Sequence, residues 1–143
     1  MTKLTDTTQQ ICNEFINRKF TLFIQHLLSI YPNDSYLLRI KLNDDLYLIV
    51  PLLQNDKIRR NIVPLNKVGK VVQIKDPVKL LITEDLFEIE FQSYIIIISR
   101  SIFKYLDKIK SSNKRPVSKK IHKYITIKEN DSIIKPTIDI YHY

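Results

Sequence analysis

Residue types suited to acid–base, nucleophilic or metal chemistry are few in this chain: three histidines, one cysteine and one dense acidic cluster. Cys12 and His26 fall in a single segment of helical periodicity, about four turns apart. They are too distant to ligate one ion, so they read as a packed thiol and a partly exposed imidazole. His122 and His142 would meet only across a terminal hairpin, and two imidazoles without a third ligand make a poor metal site. The acids are Glu84, Asp85, Glu88 and Glu90. Glu88 and Glu90 share one face of an alternating segment, as a paired-carboxylate site would require. That face is opposite Phe87, Ile89 and Phe91, so it opens to water and offers little reason for shifted pKa values. A solvated outer face, paired across strands to Lys79, is the reading adopted. A single glycine excludes the dinucleotide fingerprint, the P-loop and the G-x-S-x-G elbow. A lone cysteine excludes an intramolecular disulfide and cysteine-based zinc spacing. No catalytic residue, metal or cofactor is therefore assigned, and the chain reads as a non-enzyme.

Charge is the stronger signal. The formal net charge is +8, from 23 Lys and Arg against 15 Asp and Glu. Nine cations lie between Arg100 and Lys123 against Asp107 alone, a local balance of +8 that equals the whole chain's. Arg100, Lys104 and Lys108 recur every four residues on one side of an expected helix. Lys114, Arg115, Lys119, Lys120 and Lys123 continue the run through a polar linker. A second basic stretch, Asn55–Lys79, includes Lys57, Arg59, Arg60, Lys67 and Lys70. Cations at this density suit sequence-independent contact with phosphates. Against that, no aromatic residue interleaves the second stretch for base stacking, and lysines also protect sheet edges. A basic helix can lie on an anionic membrane, a reading ranked lower because this helix is short and its apolar side is needed for the core. Composition tempers the signal as well. No Ala, no Trp and one Gly stand against 24 Ile and 17 Lys. That is the mark of an AT-rich genome, such as a virus, plasmid or organelle, which raises Lys by itself.

These residues need a scaffold. At 143 residues and 44% hydrophobic content, one domain is expected, burying about two-thirds of its unfolded surface. Thr7-x-x-Gln10 is a capping box, and Ile16, Phe20, Phe23, Leu27 and Ile30 recur at helical spacing until Pro32. Phe20, Phe23 and Leu27 on that wide stripe are candidate protein-interface residues, consistent with a homo-oligomer or a larger assembly. Tyr36–Leu42 alternates, with Arg39 and Lys41 opposite its apolar face, and forms a hairpin with Leu46–Val50. Short strands follow at Ile62-Val63 and Val71–Ile74, around a turn in which Gly69 supplies a positive φ. Val78–Thr83, Phe87–Phe91 and Tyr94–Ile98 then read as a three-strand meander. The run Ile95-Ile96-Ile97-Ile98 is expected to be its central strand, buried on both faces. Ile121–Ile127 and Ile133–Tyr141 are two last extended segments, and Pro136 confines the second to an edge.

The sequence thus predicts an α+β fold. An N-terminal amphipathic helix packs on an antiparallel β-meander of about five to seven strands, followed by a short basic helix and a C-terminal hairpin. Residues 1–110 form the domain (helix about 7–31, sheet 36–98, helix 101–110), 111–120 a basic linker and 121–143 a hairpin or tail. The function favoured is a basic accessory protein that binds DNA or RNA through phosphates. The alternative is a structural or adaptor subunit acting by protein–protein contacts. No apolar run approaches the ~20 residues of a membrane helix and the first ten residues lack a signal-peptide core, so an intracellular, soluble protein is expected.

Overall fold

The computed structural model describes residues 6–30, 35–53, 62–73, 79–111 and 118–142, the side chains of 6–17, 118, 119 and 142 excepted. Helix α1 (Asp6–Ile30) precedes β1 (Tyr36–Lys41), β2 (Leu46–Leu52), β3 (Val63–Asn66), β4 (Lys79–Ile82), β5 (Leu86–Glu90) and β6 (Tyr94–Ser99). Helix α2 (Ile102–Ser111), the single turn α3 (Ser118–Ile121), β7 (Ile125–Glu129), β8 (Ser132–Ile134) and β9 (Ile138–His142) complete the order. The strands form two antiparallel sheets, β3-β2-β1-β9 (sheet A) and β4-β5-β6-β7-β8 (sheet B). The expected α+β fold on one meander is thereby corrected. β-Structure dominates, it is split between two sheets, and the helices sit elsewhere than foreseen.

The C-terminal segment explains the split. β7 and β8 are a true hairpin, but they extend sheet B, whereas β9 crosses over and pairs with β1 in sheet A. The crossing falls at Lys135-Pro136-Thr137. Pro136 has no N–H to offer a ladder, so the extended chain breaks there. One residue later the Thr137 carbonyl accepts a hydrogen bond from the Lys41 N–H at 3.1 Å, and the new ladder begins.

Three layers result. Tyr36, Leu38, Ile40, Leu48, Val50 and Leu52 project from sheet A onto Phe87, Ile89, Ile96, Ile98, Ile125 and Ile127 of sheet B, with Ile102, Phe103 and Leu106 of α2 in the same core. On the opposite face of sheet A, Leu37, Ile49 and Leu65 meet Phe20, Ile24, Leu27 and Leu28 of α1. The strands buried on both faces are therefore β1 and β2. β2 reads Leu-Tyr-Leu-Ile-Val-Pro-Leu, apolar throughout, which is the pattern double coverage requires. The isoleucine run of β6 is central in sheet B as foreseen, yet the described elements cover it on one face only. Ile96 and Ile98 are buried, while Ile95 and Ile97 are half-buried on the outer face.

Helix α1 buries part of its wide apolar stripe. Phe20, Ile24, Leu27 and Leu28 face the sheet at i, i+4, i+7 and i+8, and Ile30 is 62% exposed. Turn chemistry follows the sequence closely. Asn130 and Asp131 both have positive φ (47° and 71°) in the two-residue loop joining β7 to β8, the left-handed geometry that matches strand twist. Gly69 has φ +85° as expected, and its turn lies against α1, with a Cβ placed there only 3.9 Å from Phe20 Cα.

Double coverage has a measurable consequence. Ile49→Ala, at the junction of α1 and sheet A, should cost about 3 kcal/mol in urea unfolding, whereas Ile97→Ala on the open face of sheet B should cost less than about half of that. Equal losses would mean that sheet B's outer face is as enclosed as sheet A's.

Candidate polyanion-binding face

Helix α2 begins at the corner where β6 ends. The Arg100 N–H donates to the Asp85 carbonyl at 2.9 Å and its Nε to the Thr83 carbonyl at 2.8 Å, while its guanidinium sits 4.5 Å from the Phe87 ring. Arg100 thus ties the helix start to the β4–β5 turn. The apolar side of α2 is Ile102, Phe103 and Leu106, all buried, and the Phe103 ring meets Phe87 edge-on at 6.4 Å. Asp107, the only acid of the basic segment, accepts a hydrogen bond from the buried Tyr36 hydroxyl at 2.6 Å. That bond holds the middle of α2 against β1, and Lys110 Nζ lies 6.0 Å from the same ring.

With those contacts made, Lys104 and Lys108 are exposed. Tyr105, between them, stacks on Tyr124 with ring centroids 5.3 Å apart and planes 23° off parallel. Tyr124 follows α3, where the Tyr124 N–H donates to the Ile121 carbonyl at 2.9 Å and the Lys123 N–H to the Lys120 carbonyl at 3.2 Å. Its own carbonyl accepts from the Ser99 N–H at 2.7 Å, so the segment is fixed to the end of β6. Lys120 and Lys123 are exposed as well. The tyrosine stack therefore sets two separate basic segments side by side, Lys104 and Lys108 from one, Lys120 and Lys123 from the other. The pairing had no periodic signal in the sequence, because Tyr105 and Tyr124 belong to different elements.

Other expected cations are placed differently. Lys67 and Lys70 occupy the turn after β3, at the opposite edge of sheet A from β9, the strand that α3 contacts. That turn packs against α1, and Lys67 Nζ lies 3.7 Å from Asp45. They do not join the α2–α3 face. Lys57, Arg59, Arg60, Lys114 and Arg115 lie outside the described residues, and of Lys119 only the backbone, in α3, is described. Among the interface candidates, Phe20 and Leu27 are buried in the core beneath α1, and Phe23 is half-buried against it.

The remaining chemistry-bearing groups are dispersed. His122 Nε2 lies 3.0 Å from the Pro136 carbonyl, beside the sheet crossing, whereas His142 is paired with Tyr36 at the far end of β9. Among the described residues, no three His, Cys, Asp or Glu side chains converge on one point. Glu88 and Glu90 lie on the outer face of sheet B, where Lys79 is directly opposite Glu90.

One constellation was missed in the sequence. Arg39, opposite the alternating apolar face of β1 as expected, enters an aromatic box under α1, 4.8 Å from the Phe20 ring and 5.7 Å from each of Tyr47 and Tyr141. Its Nε donates to Asp139 at 2.9 Å, and a second guanidinium nitrogen contacts the same carboxylate. Burial raises the Tyr141 pKa above the usual phenol value and nearby Asp139 adds to this, while Arg39 opposes it. The constellation anchors β1 to β9. An Arg between Leu38 and Ile40 and three aromatics distributed along the chain gave no local pattern.

Comparison with protein-family models, with curated proteins and with solved structures finds no match to this chain. Its geometry must carry the functional argument by itself. No helix among the described residues is long and apolar enough to cross a membrane.

The Tyr36–Asp107 bond is the testable joint of the face. Tyr36→Phe keeps the ring and leaves a carboxylate that water can reach, so the loss should be small, about 1 kcal/mol. Amide exchange should quicken selectively from Phe103 to Ser111, and a uniform change across the chain would deny the bond its anchoring role.

Proposed function

We propose that this protein is a non-enzymatic nucleic-acid-binding protein that holds phosphates, without sequence preference, on the α2–α3 face. The observation supporting this best is the Tyr105–Tyr124 stack, which gathers Lys104, Lys108, Lys120 and Lys123 onto adjoining elements. Lys104 and Lys108 are four residues apart on α2, so their stems leave the helix about 6 Å apart along its axis. Asp107, the one acid of that segment, accepts a hydrogen bond from the Tyr36 hydroxyl. Ile102, Phe103 and Leu106 are committed to the core, which favours a phosphate-bearing ligand in water over insertion of the helix into a lipid surface.

Phosphate binding by four lysines has a characteristic salt response. Each neutralised phosphate of duplex DNA contributes about −0.9 to the slope of log K against log salt. Four contacts give a slope of about −3.6, or a loss of roughly two decades between 50 and 200 mM. Fluorescence anisotropy with a labelled random duplex and a single strand of the same length measures this directly. Lys104→Ala/Lys108→Ala should halve the slope, and Lys67→Ala/Lys70→Ala should leave it nearly unchanged. Absence of binding at 50 mM salt, or equal effects of the two pairs, would sink the proposal.

A further inference from the structure

We propose that the outer face of sheet B is a self-association surface, covered in solution by a second copy of this chain. The sheet register places the outward residues in two rows. One row runs Lys79, Glu90, Ile95, Lys128, Ile133 from β4 to β8. The other runs Leu81, Glu88, Ile97, Thr126 from β4 to β7. Leu81 is 49% and Ile133 65% exposed, and Ile95 and Ile97 are half-buried between them. Among the described elements, none lies over this face, since α1 covers sheet A and the apolar side of α2 enters the core between the sheets.

The order of charges in the first row selects the occupant. Glu90 and Lys128 flank the central Ile95 at equal distance, and two strand spacings, about 10 Å, separate them. Rotating a second copy by 180° about an axis along β6, within the interface plane, keeps each row at its own level and exchanges its two sides. Glu90 then faces Lys128 of the second copy, and Lys128 faces its Glu90. Ile95 meets Ile95, Ile97 meets Ile97, and Ile133 comes opposite Lys79. The alternative axis, across the strands, sets β5 on β5 and opposes acids to acids. The row is thus self-complementary in one orientation only, as a two-fold contact requires. The strands of the two sheets stay near-aligned, the usual geometry of face-to-face sheets.

The face is small. Four strand spacings by the length of β6 give roughly 350 Å² in projection per copy, short of the roughly 800 Å² per partner of a standard interface. Association should therefore be weak, with a dissociation constant on the order of 10–100 µM. Sedimentation equilibrium of the full chain from about 5 µM to about 1 mM spans that range. Glu90→Lys and Lys128→Glu should each weaken dimerisation about tenfold or more, because every single swap opposes like charges twice. The double swap should restore it. Ile133 is exposed on an edge strand and tolerates substitution, so it gives an arm independent of folding. Ile133→Glu should tighten the dimer against Lys79 of the second copy, and Ile133→Lys should loosen it. Thermal melts check that each variant is folded. A wild-type chain that stays monomeric at about 1 mM overturns the proposal and leaves the face to a partner of another sequence. So does a dimer indifferent to the swaps and to both Ile133 variants.

Discussion

The architecture depends on one constraint: sheet A is apolar on both faces and must be covered twice. Leu37, Leu38, Ile40, Leu48, Ile49, Val50 and Leu52 are all fully buried. Each such side chain contributes about 1.5–3 kcal/mol only when water is excluded from it. Neither α1 nor sheet B could be removed without exposing a continuous apolar plane. The inner core then explains why α2 is where it is. Ile102, Phe103 and Leu106 extend the layer between the sheets, and Tyr36 and Asp107 lock the helix onto β1. The basic face exists because the other side of that helix has nothing left to cover.

The same constraint sets a problem at Arg39, which projects toward α1 from a doubly covered strand. A guanidinium there needs its hydrogen-bonding capacity met and its charge balanced. Asp139, directly opposite in the β1–β9 register, supplies the acceptor, and Phe20, Tyr47 and Tyr141 supply flat surfaces that a weakly hydrated cation tolerates. The two partners are 100 residues apart in the chain. Sheet A is therefore completed only by the last strand, and the entropy of closing so long a loop must be recovered by β9 pairing and by this ion pair. Pairing β1 with β9 at such separation makes the topology non-local, which is expected to slow folding relative to a simple meander.

Much of this was legible in the residues. The β1–β2 hairpin, the β4–β6 meander, the Gly69 turn and the limits of α1 and α2 all carry local signals, in alternation, turn chemistry or helical spacing. What local signals do not encode is which sheet a strand joins. Ile133–Tyr141 was extended in pattern, and Pro136 marked a break, but nothing local states that the residues after it leave sheet B for β1. Burial misled for a related reason. Four consecutive isoleucines resemble a doubly buried strand, yet β6 shows one face to solvent. β2 is less uniform to the eye, with Tyr47 and Pro51, and it is the one enclosed. In an isoleucine-rich chain, hydrophobicity alone separates the two cases poorly. Topology decides them. The basic face was half legible: its cations were evident as a run, but the contact that assembles them, between Tyr105 and Tyr124, is tertiary.

Codon bias offers a competing origin for the lysines, and their neighbours bear on it. A bias toward AT-rich codons raises lysine wherever lysine is tolerated, with no preference for one side of a fold. Lys41 and Lys67 fit that description, since Asp44 and Asp45 lie 3.6 and 3.7 Å from them. The α2–α3 face differs in what it lacks. From Arg100 to Lys123 a single acid occurs among nine cations, and that acid accepts a hydrogen bond from the Tyr36 hydroxyl. Adding lysine does not remove aspartate or glutamate from the same surface. Sheet B carries Glu88 and Glu90 on its outer face, in the company of Lys79 and Lys128. Acids are thus scarce beside the cations of α2 and α3, whereas on the outer face of sheet B the two signs alternate. It is this local scarcity of acids, and not the net charge, that a preference for polyanions requires.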